Sequence, residues 1–376
     1  MELTISATAT LLGAIALTVP ETEEVTMTGF EMSMLDVGQG LCLLIEADGY
    51  TMIYDGGGKD TSSYVVSYLK QKDIGGIDLM IASHYDEDHL AGLLGIMNTM
   101  EVGTILCPEY EADSKLYESF VRYQDTFDIP VLYAETGDQY MAGNLLLTVL
   151  SPYYRYDNDN DNSVVLKLQY GDFSCILTGD AEMEAEADIL ENMEEGIIPV
   201  GLKSDLLVAG HHGSAYSSAE DFVKAIAPSV VWISCGRENK YGFPTKQELN
   251  TFKAAGADID RTESQGEISV SSDGKEISYN LSPAKNWTPG ILPIKAPDKE
   301  VSESQTEGNE EQVTETEVVE LNRGNCSYVL NYNSKKFHLP SCKSVDQMKE
   351  SNRAYSNDSR EDIINRGFSP CKNCYP

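Results

Sequence analysis

The chain reads as an α/β protein whose chemistry sits at the carboxyl ends of its strands. Three observations predict this: apolar runs of strand length, glycine-flanked loops after them, and histidine and aspartate gathered in those loops. The first run, Asp78 to Ala82, leads into Ser83-His84-Tyr85-Asp86-Glu87-Asp88-His89. Residues two apart on an extended segment point the same way, so His84, Asp86 and Asp88 converge and His89 turns in beside them. The second run, Val164 to Gln169, follows Asp161-Asn162-Ser163. The third, Phe173 to Leu177, ends in Thr178-Gly179-Asp180, where the Asp180 carboxylate is placed to bridge two cations. The fourth, Asp205 to Ala209, ends in Gly210-His211-His212-Gly213-Ser214. Of the five histidines, four fall in the pairs His84 with His89 and His211 with His212, which weighs against a merely solvated acidic loop. Nitrogen and oxygen donors of this kind suit Zn²⁺, Mn²⁺ or Fe.

Within this frame the segment from about Phe30 to Asn280 resembles the metallo-β-lactamase fold and, inside it, the extracellular hydrolase domain of the ComEC DNA-uptake proteins. The matching motifs are Leu35-Asp36-Val37-Gly38-Gln39-Gly40, Tyr54-Asp55-Gly56-Gly57-Gly58, the His84 to His89 loop, Asn162-Ser163-Val164-Val165-Leu166, Leu177-Thr178-Gly179-Asp180, Gly210-His211-His212-Gly213-Ser214 and Tyr241-Gly242-Phe243-Pro244. The resemblance implies a four-layer αββα sandwich with two divalent ions, Zn²⁺ or Mn²⁺, in the cleft between its sheets. His84, Asp86 and Asn162 are expected to hold one ion, Asp88, His89 and one of His211 or His212 the other, with Asp180 between them. The catalytic candidates are Asp88, His211 and His212, the histidine not used as a ligand being left for general acid work or the leaving oxygen. Asp36 and Asp55 are expected either to orient the imidazoles from behind or to close glycine turns. Ser214 and Tyr241 are expected at the substrate mouth. Two positions depart from the superfamily pattern. Asp86 stands where most members have a histidine, as in the ComEC-like branch, and Phe243 stands where relatives commonly have a histidine.

A formal net charge of −34 opposes tight, non-specific binding along nucleic acid, which draws on clustered lysine and arginine. Transient anionic substrates are easier to reconcile with it. Leu3 to Val19 has the length of a signal h-region, but no lysine or arginine precedes Lys59, so residues 1–28 read as a clipped leader or as a plain first strand. No apolar run of about 20 residues occurs, and stable membrane insertion is not expected. Cys42, Cys107, Cys175 and Cys235 sit singly in or beside apolar runs and read as core residues.

Residues 29–282 are expected to form the hydrolase domain and 283–322 a linker. From Asp298 to Glu320 nine acids face one base, a composition that cannot bury enough apolar surface to order itself. The remaining 323–376 carries His338-x3-Cys342 and Cys371-x2-Cys374, spacings that let two turns each offer two donors to one structural Zn²⁺. A disulfide from Cys342 to Cys371 or Cys374 is the other reading. This tail resembles the Ada-type zinc-binding domain through Tyr328-Val329-Leu330-Asn331, Lys336-Phe337-His338 and Pro370-Cys371-Lys372-Asn373-Cys374. His338 stands where the methyl-accepting cysteine would be, so methyl transfer is not expected. From Leu321 the tail has nine bases and five acids, which fits either a polyanion-holding module or a charged solvated surface.

The functional expectation is a bacterial metallohydrolase, extracellular or at the cell surface, acting as a phosphodiesterase or nuclease on DNA or nucleotides. Hydrolysis of a non-phosphate ester, lactone or amide, and a non-catalytic surface-binding role, are the alternatives.

Overall fold

The computed structural model describes residues 27–291 and, with short gaps, 326–374. The expected leader up to residue 26 and the acidic stretch 298–320 lie outside the described residues. The chain divides into two units, Met1–Pro297 and Asp298–Pro376.

In the first unit, β1 (Phe30–Met34), β2 (Leu43–Ala47) and β3 (Tyr50–Tyr54) form an antiparallel meander. Helix α1 (Ser62–Gln71) then leads to β4 (Gly76–Ile81), α2 (Glu87–Met97) to β5 (Glu101–Cys107), and α3 (Lys115–Phe127) to β6 (Val131–Tyr133). These helical crossovers make β3 to β6 parallel. The second sheet begins with β7 (Gln139–Ala142), β8 (Leu145–Ser151), β9 (Val165–Tyr170) and β10 (Phe173–Leu177), paired antiparallel. Crossovers through α4 (Met183–Glu194), α5 (Glu220–Ile226) and α6 (Lys246–Ala255) add the parallel strands β11 (Leu206–Val208), β12 (Val230–Ile233) and β13 (Asp258–Arg261). After the short α7 (Thr262–Gln265), the chain returns to the first sheet as β14 (Ile268–Ser272) and β15 (Ile277–Tyr279). The sheet orders are β15-β14-β1-β2-β3-β4-β5-β6 and β13-β12-β11-β10-β9-β8-β7.

Alternation along each strand builds the four layers. Leu43 and Ile45 of β2 face a core shared with Cys175 and Leu177 of β10 and with Leu206, Val208 and Trp232 from the other sheet. Leu44 faces the opposite way, among Val65 and Leu69 of α1 and Leu90, Leu93 and Ile96 of α2. On the second sheet Ile176, Leu207, Val231 and Ile233 face outward to Ile189, Phe222, Val223, Leu249 and Phe252. Period-2 side-chain direction thus puts sheet against sheet in the middle and helices on both outsides, the αββα sandwich expected. The four strand cysteines are buried as expected, Cys175 in the middle layer, Cys42 and Cys107 under the first helices, and Cys235 under the second set.

Residues 283–291, expected to belong to the linker, pack on this unit instead. Ala284 donates its backbone N–H to Ile259 (2.7 Å), Gly290 donates to Pro244 (2.9 Å), and the Arg261 guanidinium holds the Asn286 and Thr288 carbonyls. Ala284 and Trp287 supply the apolar surface that fixes the strap, a signal the acidic composition further on had masked.

The second unit is a small sheet in the order β18-β16-β17-β19, built from β16 (Tyr328–Asn331), β17 (Lys336–His338), β18 (Arg353–Ser356) and β19 (Ser369–Pro370), with the one-turn helix α8 (Lys343–Asp346). Its two small apolar clusters, one around Val329, Val345 and Met348 and one around Leu330, Phe337, Ile363 and Phe368, are modest for an independent fold.

Candidate metal centre

The β4–α2 loop delivers the first donors. Ser83 and His84 follow β4, Asp86 is extended, and α2 starts at Glu87, so Asp88 and His89 come from its first turn. Two glycines allow the approach. A Cβ on Gly92 would run into the Gly56 carbonyl, and one on Gly56 would strike the Leu93 amide, so only a glycine pair lets α2 lie against the turn after β3. That turn contains Asp55, held at φ +58°. The other donors come from the second sheet, Asp180 after β10 and His211 and His212 after β11.

One buried carboxylate sets two rings. Asp55 Oδ1 accepts the Ser83 N–H (2.8 Å), and Oδ2 accepts the Ser83 hydroxyl (2.7 Å) and His89 Nδ1–H (2.8 Å). With its proton spent on Asp55, the Ser83 oxygen can only accept from His84 Nδ1, at 3.0 Å. His212 Nδ1 donates to the Ser234 carbonyl at 3.0 Å. In all three neutral rings the remaining Nε2 therefore carries a lone pair.

These atoms converge. His89 Nε2 stands 3.1 Å from His212 Nε2 and 3.1 Å from Asp180 Oδ1. His212 Nε2 is 3.4 Å from Asp88 Oδ2 and 3.6 Å from Asp180 Oδ1. Two triads have all donors within 4.8 Å of one another, His84-His89-Asp180 and Asp88-His89-His212. His84 Nε2 and Asp180 Oδ1 are buried without a hydrogen-bond partner. Lone pairs aimed at one another in a dry pocket repel unless a cation lies among them, so the residues fit the divalent ions the fold implies.

The electrostatics agree. Burial pushes Asp180 upward, but His89, His212 and His211 outweigh it and hold the carboxyl well below its usual range. Burial pushes His89 downward, but Asp180 and Asp55 outweigh it and raise its pKa. The pocket attracts positive charge strongly enough to favour a proton on His89, which a divalent cation would displace. Burial and the charge of His89 lower the pKa of His84.

Residues 35–237 match the family model of the metallo-beta-lactamase superfamily, more than half of the chain. The chain belongs to the metallo-β-lactamase superfamily. Among curated relatives it is 26% identical over 272 residues to ComE operon protein 3 of Bacillus subtilis, covering 67% of this chain and 34% of that protein. It is 27% identical over 274 residues to Recombination protein 2 of Haemophilus influenzae, covering 70% and 32%. It is also 26% identical over 239 residues to Competence protein ComA of Neisseria gonorrhoeae, covering 63% and 31%. The chain thus spans about a third of the length of these relatives. Among solved structures it is similar to the metallo-beta-lactamase fold protein YhfI from Bacillus subtilis, at TM-score 0.44 and 15% identity, covering 65% of this chain and all of that one.

The expected metallo-β-lactamase site residues fall into distinct groups. His84, Asp88, His89, Asp180 and His212 come together. Asp86 sits at the rim, 59% exposed, with its carboxylate 3.9 Å from His84 Nε2. Of the two adjacent histidines, His212 enters the tight group. His211 stands farther out, Nε2 3.7 Å from Asp180 Oδ2 and Nδ1 3.1 Å from Glu182 Oε1. Asn162 does not join. Its Oδ1 accepts the Tyr156 N–H (2.9 Å) and its Nδ2 donates to the Tyr156 and Asn158 carbonyls, so its side chain is spent on holding its own loop. Asp36 is exposed and caps the Gly38 N–H at 3.2 Å, the turn-closing alternative, whereas Asp55 orients imidazoles. Ser214 is buried and its Oγ accepts from the Tyr216 N–H, so it does not line the mouth. Tyr241 is 46% exposed and stacks on Phe243, whose ring meets His211 edge-on.

Sequence reasoning missed Ser83, the Ser234 carbonyl and Glu182. Ser83 and Glu182 were within reach of the motif logic, one residue before His84 and two after Asp180. The Ser234 carbonyl carried no sequence signal.

In the second unit, His338, Cys342, Cys371 and Cys374 also place one donor each within 4.8 Å of one another. Among the described residues no disulfide forms. His338 Nδ1 is buried without a hydrogen-bond partner. Burial first, then hydrogen bonding with Cys342 and Cys371, pushes the Cys374 thiol up to about 11, as expected of sulfurs crowded together without a cation.

Proposed function

We propose that this metallo-β-lactamase-fold hydrolase, related to competence proteins, cleaves phosphodiester bonds in DNA or nucleotides. The observation that carries the reading is the set of five buried or rim donors whose imidazole tautomers are fixed by Asp55 and Ser234. When bound, one divalent ion held by His84 and Asp180 and another held by Asp88, His89 and His212 would supply a water nucleophile near neutral pH and offset charge on the phosphate. Asp55 keeps the His84 and His89 rings ready and the Ser234 carbonyl keeps His212, which removes reorganisation from the reaction step. His211, turned toward the cleft rim and held by Glu182, is placed to meet the leaving oxygen. Glu182 is itself fixed by the Asn158 and Asn160 amides at 3.0 and 3.1 Å.

Phosphodiester chemistry is supported by the likeness to relatives named for competence and recombination. The acidic charge supports brief engagement of a strand over storage of one. The apolar Phe243 beside His211 favours the second reading, hydrolysis of an uncharged ester or lactone. Parallel assays with a single-stranded oligonucleotide and with a lactone, each with Mn²⁺ or Zn²⁺, separate the two. Turnover of the lactone alone would overturn the phosphodiesterase reading.

The remaining parts fit a cell-envelope or extracellular setting, supported by the competence relatives and the acidic surface. Among the described residues no helix is long and apolar enough to cross a membrane. The second unit is proposed to hold a structural Zn²⁺ through its histidine and three cysteines, and its basic balance to hold a polyanion.

A further inference from the structure

We propose that Lys240, Tyr241 and Phe243 form a subsite that stacks an unpaired nucleobase and meets its phosphate at the mouth of the donor cluster. The proposal rests on the phosphodiesterase reading above and names the part of the substrate that this chain recognises.

The rings make a continuous path from solvent to the donors. Tyr241 and Phe243 are nearly parallel, 15° apart with centroids at 5.3 Å. Phe243 stands edge-on to His211 at 5.6 Å and 71°. His211 Nε2 in turn lies 3.7 Å from Asp180. Tyr241 is supported by Phe243 and still leaves nearly half of its surface open beside the cleft. Lys240 Nζ rides over the Tyr241 ring, 4.8 Å from its centroid. A hydrogen bond with the Tyr241 side chain first, and then the negative charges of Asp88 and Glu87, raise its pKa, so the ammonium stays charged beside the ring. Being exposed and flexible, it can move from the ring to a phosphate when a base takes its place.

The platform is set in advance. Asn239, buried in the loop, donates to the Gly236 and Phe243 carbonyls at 2.9 and 2.7 Å and accepts the Tyr241 and Phe243 N–H groups at 3.2 and 3.0 Å. Gly242 takes φ +71°, which reverses the chain so that Tyr241 and Phe243 share one side. A base arriving there therefore orders no loop. Stacking on a ring tolerates any base but needs an open base face, which a duplex does not offer. In a chain at −34, one stacked base with one ammonium replaces the basic track that long-range capture would need.

The test uses the full-length, Mn²⁺-loaded protein and a fluorescein-labelled ten-nucleotide oligothymidylate with phosphorothioate links that resist cleavage, read by anisotropy. Tyr241→Ala is expected to weaken binding about 5- to 150-fold, the range of one lost base stack, and Lys240→Ala to weaken it through the lost phosphate contact. Tyr241→Phe keeps the ring and is expected to bind within twofold of wild type. Metal affinity, measured by titration, should be the same in all four proteins, and the loss on a cleavable oligonucleotide should fall on KM. Wild type that cleaves single strands, with variants that bind equally well, would overturn the subsite and leave the phosphodiesterase reading standing. Wild type that neither binds nor cleaves single strands would overturn both.

Discussion

Replacing Asp55 with Asn keeps size and removes only the double acceptor on which the imidazoles depend. Asp55 accepts three hydrogen bonds, two from Ser83 and one from His89, at 2.7–2.8 Å. An amide has one oxygen and must turn its NH₂ toward one side. If the NH₂ faces the Ser83 N–H, two buried donors confront each other, at a cost of about 1–3 kcal/mol. If it faces His89 Nδ1, that ring must accept, its proton moves to Nε2, and the atom shared by both donor triads is blocked. Either way the site loses. Outer partners of this type are worth about 10- to 100-fold in metal affinity, or roughly 1.4–2.8 kcal/mol. The assay is Mn²⁺ or Zn²⁺ titration of chelator-stripped protein by calorimetry, with circular dichroism to verify the fold. Asp55→Asn is expected to bind at least tenfold more weakly. Folded Asp55→Asn with wild-type affinity would refute the argument that Asp55 sets the tautomers.

Three further perturbations separate structure from site. Asn162→Ala should lower stability by about 1–3 kcal/mol, since it strips partners from the buried 156–158 loop, yet leave metal affinity within about twofold, as read by denaturant melts and titration. The buried Glu186 is pushed up to about 8 by burial, and burial pushes Glu248 up as well. A raised carboxyl favours the fold while protonated, so this contribution is full below the ordinary glutamate range and is lost as pH rises toward and past about 8 for Glu186. Glu248→Gln should therefore raise Tm at pH 8 relative to wild type, by about 2–4 °C for each kcal/mol gained, and by less at pH 5. In the second unit, Cys371→Ser or chelation should unfold the Tyr328–Pro370 sheet, measured as lost hydrogen-exchange protection there with the first unit's middle layer still protected.

Much of the fold was legible because its strands are short apolar runs with polar punctuation. Phe173–Leu177 was bounded correctly, and Leu206–Val208 fell inside its expected run. The donors were legible because strand ends concentrate histidine and aspartate, and the cluster kept five of the eight expected. Asn162 misled because a buried amide before a strand has two uses, ligand or loop lock, and only the course of the 156–158 backbone decides between them. The choice between His211 and His212 was not legible, since both adopt positive φ, +47° and +57°, and adjacent side chains in such a turn diverge in a way spacing does not encode. The end of the first unit was misplaced because Ala284 and Trp287 are too few to register as a pattern, although each finds a place against the second helical layer.

The most direct test of the central claim is cleavage of single-stranded DNA by the purified protein with added Mn²⁺, beside Asp180→Ala. The account predicts cleavage by wild type, abolished by chelator and by the substitution. Intact DNA in the presence of folded, Mn²⁺-loaded wild type, or equal cleavage by Asp180→Ala, would contradict it.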